Sequence, residues 1–167
     1  MSAAAGGELE RGPLDSLAGR FLSGFTGEGF GASCTPDVGY EDPVAIQPLQ
    51  GIDELERHAA SLRAAFPDLR VECPAPPVAG GQSVAIPWRA AGTHRGELGM
   101  LPATDRFLTV SGVHWVELVD GEIRRARGFF DLSGAAVQLG LLPERGGLGE
   151  AALLLVRGFG LRRGGPT

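Results

Sequence analysis

The side chains best suited to acid–base chemistry gather near residue 130. Asp131 directly follows Phe129 and Phe130 in the run RARGFFDLSG, where a strand-like pattern changes to a helix-like one. A carboxyl group in apolar surroundings has a raised pKa, which suits a general base. The alternative is that Asp131 caps the following helix and pairs with Arg127. The residue types alone favour neither interpretation over the other.

A predicted hairpin decides which side chains accompany Asp131. The pair Asp120-Gly121 is typical of a two-residue turn, and with Val119 opposite Glu122 the register follows by counting. Directly opposed residues share a face of the sheet. That count predicts a pocket with convergent polar groups on one face, formed by His114, Arg127, Phe129 and Asp131. In this hypothesis Asp131 and His114 are the catalytic acid–base pair, and Arg127 and Phe129 bind the substrate. A register slip of one residue would undo the grouping.

Four further residues have two interpretations each. Trp88 lies in an alternating strand and is expected to form the core or a pocket wall, where it would stack on a substrate. Tyr40 either points its hydroxyl at the cavity mouth to bind the substrate or packs with that hydroxyl in water. His58 borders the apolar stripe of a helix and is expected to be a hydrogen-bonded core histidine. His94, in GTHRG, is expected to fix a loop.

The elements that must position these residues come from the periodicity of apolar residues. Apolar residues at helical spacing predict amphipathic helices, and strict alternation predicts strands. The second helix is expected to end at Pro67, because proline opposes continuation. The predicted helices are 14–25, 52–66, 132–142 and a C-terminal one, and the predicted strands are 69–73, 83–93, 107–119 and 122–131. Helices followed by strands favour an α+β fold, with a curved, mostly antiparallel sheet wrapped around the N-terminal helices as a cone with a cavity.

Bulk composition limits the possible partners. The chain has 167 residues and a net charge of −5, so no basic stripe is available for nucleic acid. Its two cysteines form no CxxC motif, and its three histidines have no metal-ligand spacing, so we expect no metal site. No signal peptide and no apolar run long enough for a membrane span is found, which predicts a cytoplasmic protein.

Two long runs resemble a known family. The runs YEDPVAIQPLQGIDELERHAASLRAAFPDLRVE and GTHRGELGMLPATDRFLTVSGVHWVELVDGEIRRARGFFD, followed by a helix and QLGLLP, are similar to SnoaL-like polyketide cyclases of the nuclear transport factor 2-like superfamily. The similarity covers roughly residues 14–143. It rests on the order of loose motifs: G-I-x-x-L, AFPD, GTHxG, and DGxI leading to an aromatic-aromatic-Asp ending.

The resemblance implies a fold and a reaction. The fold is a cone-shaped, cystatin-like sheet that cups an apolar cavity, and the reaction is a cofactor-independent intramolecular aldol closure of a polyketide ring. It implies that Asp131 is the acid–base residue and that His114 accompanies it. In one departure from the family, Phe129-Phe130-Asp131 stands where many relatives carry a tryptophan or tyrosine before the aspartate. Isomerase, dehydratase or epoxide hydrolase chemistry, the last of which could use Asp42 with Arg127 and Asp131, and a non-catalytic binding or dimerisation module remain alternatives.

The domain organisation follows from the same patterns. Residues 1–12 are predicted to be disordered, 13–143 to form the cone domain, and 144–167 to form a helical tail with a basic end. The tail is expected to pack on its own domain or on a second copy. The superfamily resemblance implies a homodimer that pairs through the outer sheet face, with Trp115 and Phe130 as interface residues. The expected partner is a small polyketide-like molecule, with no nucleic acid and no membrane.

Overall fold

A computed structural model of the chain describes residues 11–144 and 146–156. The helices are α1 (Arg11–Ser23), which continues as a π-helical turn at Gly24–Glu28, α2 (Ile52–Ala65), α3 (Leu132–Gln138) and α4 (Leu148–Val156). The strands are β1 (Cys34–Glu41), β2 (Leu49–Gln50), β3 (Arg70–Glu72), β4 (Val78–Gly80), β5 (Ser83–Thr93), β6 (Phe107–Val119) and β7 (Glu122–Phe130). Of the segment 1–12 that was predicted to be disordered, residues 1–10 lie outside the described residues, whereas Arg11 and Gly12 belong to α1. The predicted basic end at Arg157, Arg162 and Arg163 also lies outside the described residues.

The strands form one sheet of seven, which confirms the predicted α+β class. The order is β2-β1-β7-β6-β5-β3, and β4 pairs with β5. Every pairing is antiparallel except that of β1 with β7, which is parallel. Three of the seven strands were not predicted. Strands β2 and β4 are only two or three residues long, and β4 follows a proline-rich loop. Strand β1 follows a glycine-rich stretch and lacks a strict alternation of apolar residues.

The predicted turn at Asp120-Gly121 is confirmed. The φ angles of both residues are positive, 51 for Asp120 and 84 for Gly121 in degrees. Positive φ at both central positions is what a type I′ turn requires. Val119 lies opposite Glu122 and Leu118 opposite Ile123, as the count predicted. A β-bulge then shifts the register between Glu117 and Leu118.

Beyond the bulge the predicted register is wrong by one residue. His114 lies opposite Gly128 rather than Arg127, and Gly112 lies opposite Phe130. One extra residue in a strand exchanges the faces of all residues that follow it. The inner face therefore carries His114, Gly128 and Phe130, and the outer face carries Trp115, Arg125, Arg127 and Phe129. Phe130 is thus not on the outer face where a dimer contact was expected.

Helices α1 and α2 pack on the inner face of the sheet through their apolar stripes. The largest fully buried apolar side chains of this core come from both layers and include Phe21, Phe30, Leu55, Ile86 and Ile123. A second apolar cluster, at the other end of the sheet, packs Ala65, Phe66 and Leu139 against Leu69, Leu98, Leu101 and Leu108. No helix among the described residues is both long and apolar enough to cross a bilayer.

Candidate functional site

A cavity of about 150 Å³ lies between the inner sheet face, α2 and α3. Leucine, valine, alanine and phenylalanine side chains form most of its wall. Of the described residues that line it, the ones with polar side-chain atoms are Tyr40, Asp42, His114 and Trp88. An apolar cavity with polar groups gathered at one end is the usual form of a small-molecule site.

Three residues on neighbouring strands form the floor at the polar end. Glu41 pairs with Arg127 across the parallel strands, so the next residue, Asp42, lies beside Gly128. Gly128 in turn pairs with His114 on β6. A Cβ atom on Gly128 would stand 3.2 Å from both the Asp42 Cβ and the His114 Nε2. Glycine at this position therefore leaves the space through which the imidazole reaches towards β1.

Four side chains join in one hydrogen-bonded network, which we call the Asp42 network: Tyr40, Asp42, His58 and His114. The Tyr40 hydroxyl donates to Asp42 Oδ2 at 2.9 Å, and His58 Nε2 lies 2.8 Å from the same oxygen. His114 Nε2 lies 3.2 Å from the Tyr40 oxygen. Because the Tyr40 proton is given to Asp42, its oxygen accepts from His114 Nε2–H, and the neutral imidazole then has a bare Nδ1.

Asp42 is held as a carboxylate by four donors, two on each oxygen. Its Oδ1 accepts the backbone N–H groups of Val44 and Ala45, both at 2.7 Å. Burial alone would raise the pKa of this carboxyl. The hydrogen bond and charge of His58, with further hydrogen bonds from Ala45 and Tyr40, outweigh burial and hold the pKa below its usual value of 3.8.

Burial shifts the pKa values of Tyr40 and His114 in opposite directions. Tyr40 is almost fully buried. Burial, together with the Asp42 charge, raises the Tyr40 pKa well above the usual 10.0. His114 packs between aromatic rings, stacked on Phe25 with centroids 5.5 Å apart and edge-on to Phe21 at 5.1 Å. Burial lowers the pKa of His114 to about 4, although the Asp42 charge opposes this. At neutral pH Asp42 is therefore an anion, and the Tyr40 phenol and the His114 imidazole beside it are neutral.

Asp131 lies away from the cavity wall. It is exposed and caps α3, where its Oδ1 accepts the Gly134 N–H at 2.8 Å. This confirms the capping interpretation, but the expected partner differs: Arg127 pairs with Glu41 at 3.0 Å on the outer face. The predicted convergence of Asp131, Arg127 and Phe129 with His114 is wrong, because the bulge turns Arg127 and Phe129 outward and β7 ends one residue before Asp131.

The structure does bring His114, Tyr40 and Trp88 together around the cavity. The Trp88 ring lies 5.5 Å from the His114 ring, measured between centroids, and covers Gly112. Its indole N–H is buried without a hydrogen-bond partner among the described residues. His94 accepts the Thr104 N–H on its Nδ1 at 3.3 Å, which confirms the predicted loop-fixing role.

The sequence did not single out Asp42 and His58 as one unit. Tyr40 and Asp42 are two residues apart at the end of a strand, so their side chains point to the same face, and this Tyr-x-Asp spacing was the available signal. His58 was expected to be a satisfied core histidine, and its 2.8 Å contact with Asp42 confirms that. Within the residues that the structure covers, no group of three His, Cys, Asp or Glu side chains is placed to hold a metal ion.

The curved sheet, the helices on its concave face and the apolar cavity define a ketosteroid isomerase-like fold. A protein from Catenulispora acidiphila described with that fold, in complex with trimethylamine, superposes with a TM-score of 0.63 at 18% identity, over 75% of this chain and 92% of the other. TsrD from Streptomyces laurentii gives 0.70 at 22% identity, over 81% of this chain and 100% of its own.

The family is also shown by sequence. The SnoaL-like polyketide cyclase family matches residues 20–139, which is most of the chain, and the chain belongs to this family. A protein from Jannaschia sp. CCS1, described as a candidate SnoaL-like polyketide cyclase, has a TM-score of 0.66 at 22% identity, over 79% of this chain and 96% of the other. At such identities the superpositions establish the fold alone. None of the curated proteins matches the sequence.

Proposed function

We propose that the protein is a cofactor-independent cyclase, which closes a ring in a polyketide-like carbonyl compound by an intramolecular aldol reaction. The observation that carries the proposal is the Asp42 network at one end of an otherwise apolar cavity. Family membership supports the substrate class. The network replaces Asp131 as the proposed proton-handling group, because Asp131 does not line the cavity.

Substrate binding would prepare the base by turning one hydroxyl. All four acceptor positions of Asp42 are occupied in the structure, one of them by the Tyr40 hydroxyl. A substrate carbonyl oxygen beside Tyr40 would take that hydrogen bond instead. The rotation polarises the carbonyl and frees a lone pair on Asp42 Oδ2. One event thus activates both the electrophile and the base.

The first chemical step is removal of a proton next to that carbonyl. The carbon-bound proton passes to Asp42 Oδ2, and the electron pair of the C–H bond becomes an enolate. Its oxygen receives the Tyr40 O–H, which is supported from behind by the His114 Nε2–H. Donors already aimed at the developing charge in a water-poor site are worth about 3 kcal/mol each in comparable enzymes.

The second step forms the ring. The enolate carbon attacks a second carbonyl of the same molecule, a C–C bond forms, and the resulting alkoxide takes the proton back from Asp42. The unpartnered indole N–H of Trp88 is the donor that we propose for the second carbonyl oxygen. The cavity holds both reacting carbons in one molecule at short distance, which is where an intramolecular closure gains most.

Hydrogen exchange tests the first step without knowledge of the natural substrate. Acetophenone combines a ring, a carbonyl and exchangeable α-protons. Its α-deuteration in D2O, followed by proton NMR, is expected to be accelerated by the wild-type protein. Asp42→Asn should reduce the acceleration by a factor of about 10²–10⁴. Tyr40→Phe should reduce it as well, because the enolate loses its donor.

Asp131→Asn is the matched control. Asparagine caps helices about as well as aspartate, so the fold is kept while the carboxylate is removed. This variant should exchange acetophenone at the wild-type rate. Saturable binding of acetophenone without exchange, or Asp42→Asn exchanging as fast as wild type, would contradict the proposal. Loss of exchange in Asp131→Asn alone would return the role of base to Asp131.

A further inference from the structure

The cavity is elongated along β6. Its lining on that strand extends from His114 through Val110 to Leu108, and on β5 from Trp88 through Ala90 to Gly92. The register pairs Trp88 with Gly112, Ala90 with Val110 and Gly92 with Leu108. The extended strand from Leu108 to His114 covers about 20 Å. The site therefore has two ends, and these differ in chemistry.

The end away from the Asp42 network is hydrocarbon. Its lining side chains belong to the second apolar cluster: Phe66, Leu69, Leu98, Leu108 and Leu139. Among the described residues that line this end, no side chain can donate or accept a hydrogen bond. The nearby His94 packs against Phe66 with ring centroids 5.1 Å apart, is fully buried and does not line the cavity.

We infer that the substrate is amphiphilic, with its oxygen functions confined to the half that faces Tyr40, His114 and Trp88 and an unsubstituted alkyl or aryl group in the other half. This inference rests on the proposed function and names its substrate class. A substrate hydroxyl placed at the leucine-lined end would lose its hydrogen bonds with water and gain no hydrogen bond from the protein, which is unfavourable. The site thus selects against polyketides that are oxygenated along their whole length.

Ala90 controls how far a substrate extends towards the apolar end. It lines the cavity midway between Trp88 and Gly92. Its neighbour Gly92 is closely packed, since a Cβ there would lie 3.2 Å from the Phe66 Cβ. A larger side chain at position 90 would therefore shorten the cavity and leave the Asp42 network in place.

Binding of 2-alkanones tests the inference. The chain has two tryptophans, and Trp115 is exposed on the outer face, so Trp115→Phe leaves Trp88 as the only tryptophan, in the cavity wall. Fluorescence titration with 2-butanone to 2-undecanone should show about fourfold tighter binding for each added methylene, up to a limiting length. A terminal hydroxyl on the longest ligand that still gains affinity should weaken binding at least about tenfold.

Two variants separate this selectivity from general hydrophobic binding. Ala90→Leu should move the limiting length to shorter ketones, with Ala90→Val as a milder version if the leucine variant does not fold. Leu98→Asn places a polar group at the apolar end and should recover much of the loss caused by the terminal hydroxyl. Affinity independent of chain length, or equal affinity for hydroxylated and plain ketones, would overturn the inference.

The two proposals fail in distinguishable ways. Asp42→Asn in the Trp115→Phe background should keep the chain-length dependence and lose acetophenone exchange. If ketone affinity does not depend on chain length but exchange is catalysed, the inferred substrate class is wrong and the proposed chemistry is retained. If the dependence is present and no exchange occurs, the cavity binds such molecules and the proposed chemistry is wrong.

Discussion

Burial of His114 should make the stability of the protein depend on pH in a window set by that one side chain. In the folded protein burial lowers the His114 pKa from 6.5 to about 4. The unfolded chain therefore binds a proton at this histidine as the pH falls below 6.5, while the folded protein does not until about pH 4. Protons bound by the unfolded state favour unfolding, so stability is full above the unfolded pKa and falls as the pH approaches the folded one.

The size of the effect follows from the two pKa values. A pKa difference of one unit corresponds to about 1.4 kcal/mol, so His114 costs the folded state about 3 kcal/mol at pH 4 relative to pH 7. Asp42 acts in the same direction at lower pH, because its own lowered pKa gives stability that is lost only as the pH falls below 3.8. The interval from 6.5 to 4 therefore reports mainly on the histidine.

Urea unfolding of the wild type and of His114→Gln, measured at several pH values from 7.5 to 4, isolates this contribution. Glutamine keeps a donor near the Tyr40 oxygen but does not titrate. The difference between the two free energies of unfolding cancels the pH-dependent contributions of the acidic residues and of the other two histidines, which both proteins share. The wild-type protein should lose about 3 kcal/mol relative to the variant between pH 7 and pH 4. Parallel curves, or a wild type that gains relative stability in acid, would refute the buried neutral imidazole.

Three further changes test the packing and the hydrogen bonds of the site. Gly112→Ala would place a methyl group 2.5 Å from Trp88 Cζ2 and against a main-chain carbonyl of β7. We expect it to lose about 1–3 kcal/mol in urea unfolding. Gly19→Ala, which would meet no neighbouring atom, should lose nothing. Tyr40→Phe removes a donor from Asp42 and should raise the Asp42 pKa in an NMR titration, and an unchanged pKa would contradict the network. The same variant should lose about 1–3 kcal/mol of stability, because it leaves a buried acceptor without its partner. Asp131→Ala should cost about 1 kcal/mol and Asp131→Asn much less, and equal losses would argue against the cap.

The order of elements and the turn at Asp120-Gly121 were predictable because they depend on local chemistry. Apolar spacing located α1, α2 and the three long strands, and a positive-φ pair marked the hairpin. The bulge that follows was not predicted, although its cause is visible in the sequence. Without it, Arg125 and Arg127 would lie on the apolar inner face of the sheet, where burying their charge is costly. A register should therefore be tested against the charges it buries before it is used to place a catalytic group.

The network was harder to predict than the fold because its members are brought together by tertiary pairing. Tyr40 and Asp42 lie next to His114 only through the parallel contact of β1 with β7, and no local pattern announces that contact. His58 arrives from α2. Asp131, by contrast, has a strong local signal, a carboxylate before a helix, and that signal correctly described a cap.

The parallel pairing of β1 with β7 also determines when the Asp42 network can assemble during synthesis. The strand that carries Tyr40 stays without this partner until β7, far later in the chain, has been made. Such non-local pairing forms slowly, because a long loop must close before any contact compensates for it. A nascent chain therefore lacks the contact between Tyr40 and His114. The Asp42 network is complete only after the last strand docks.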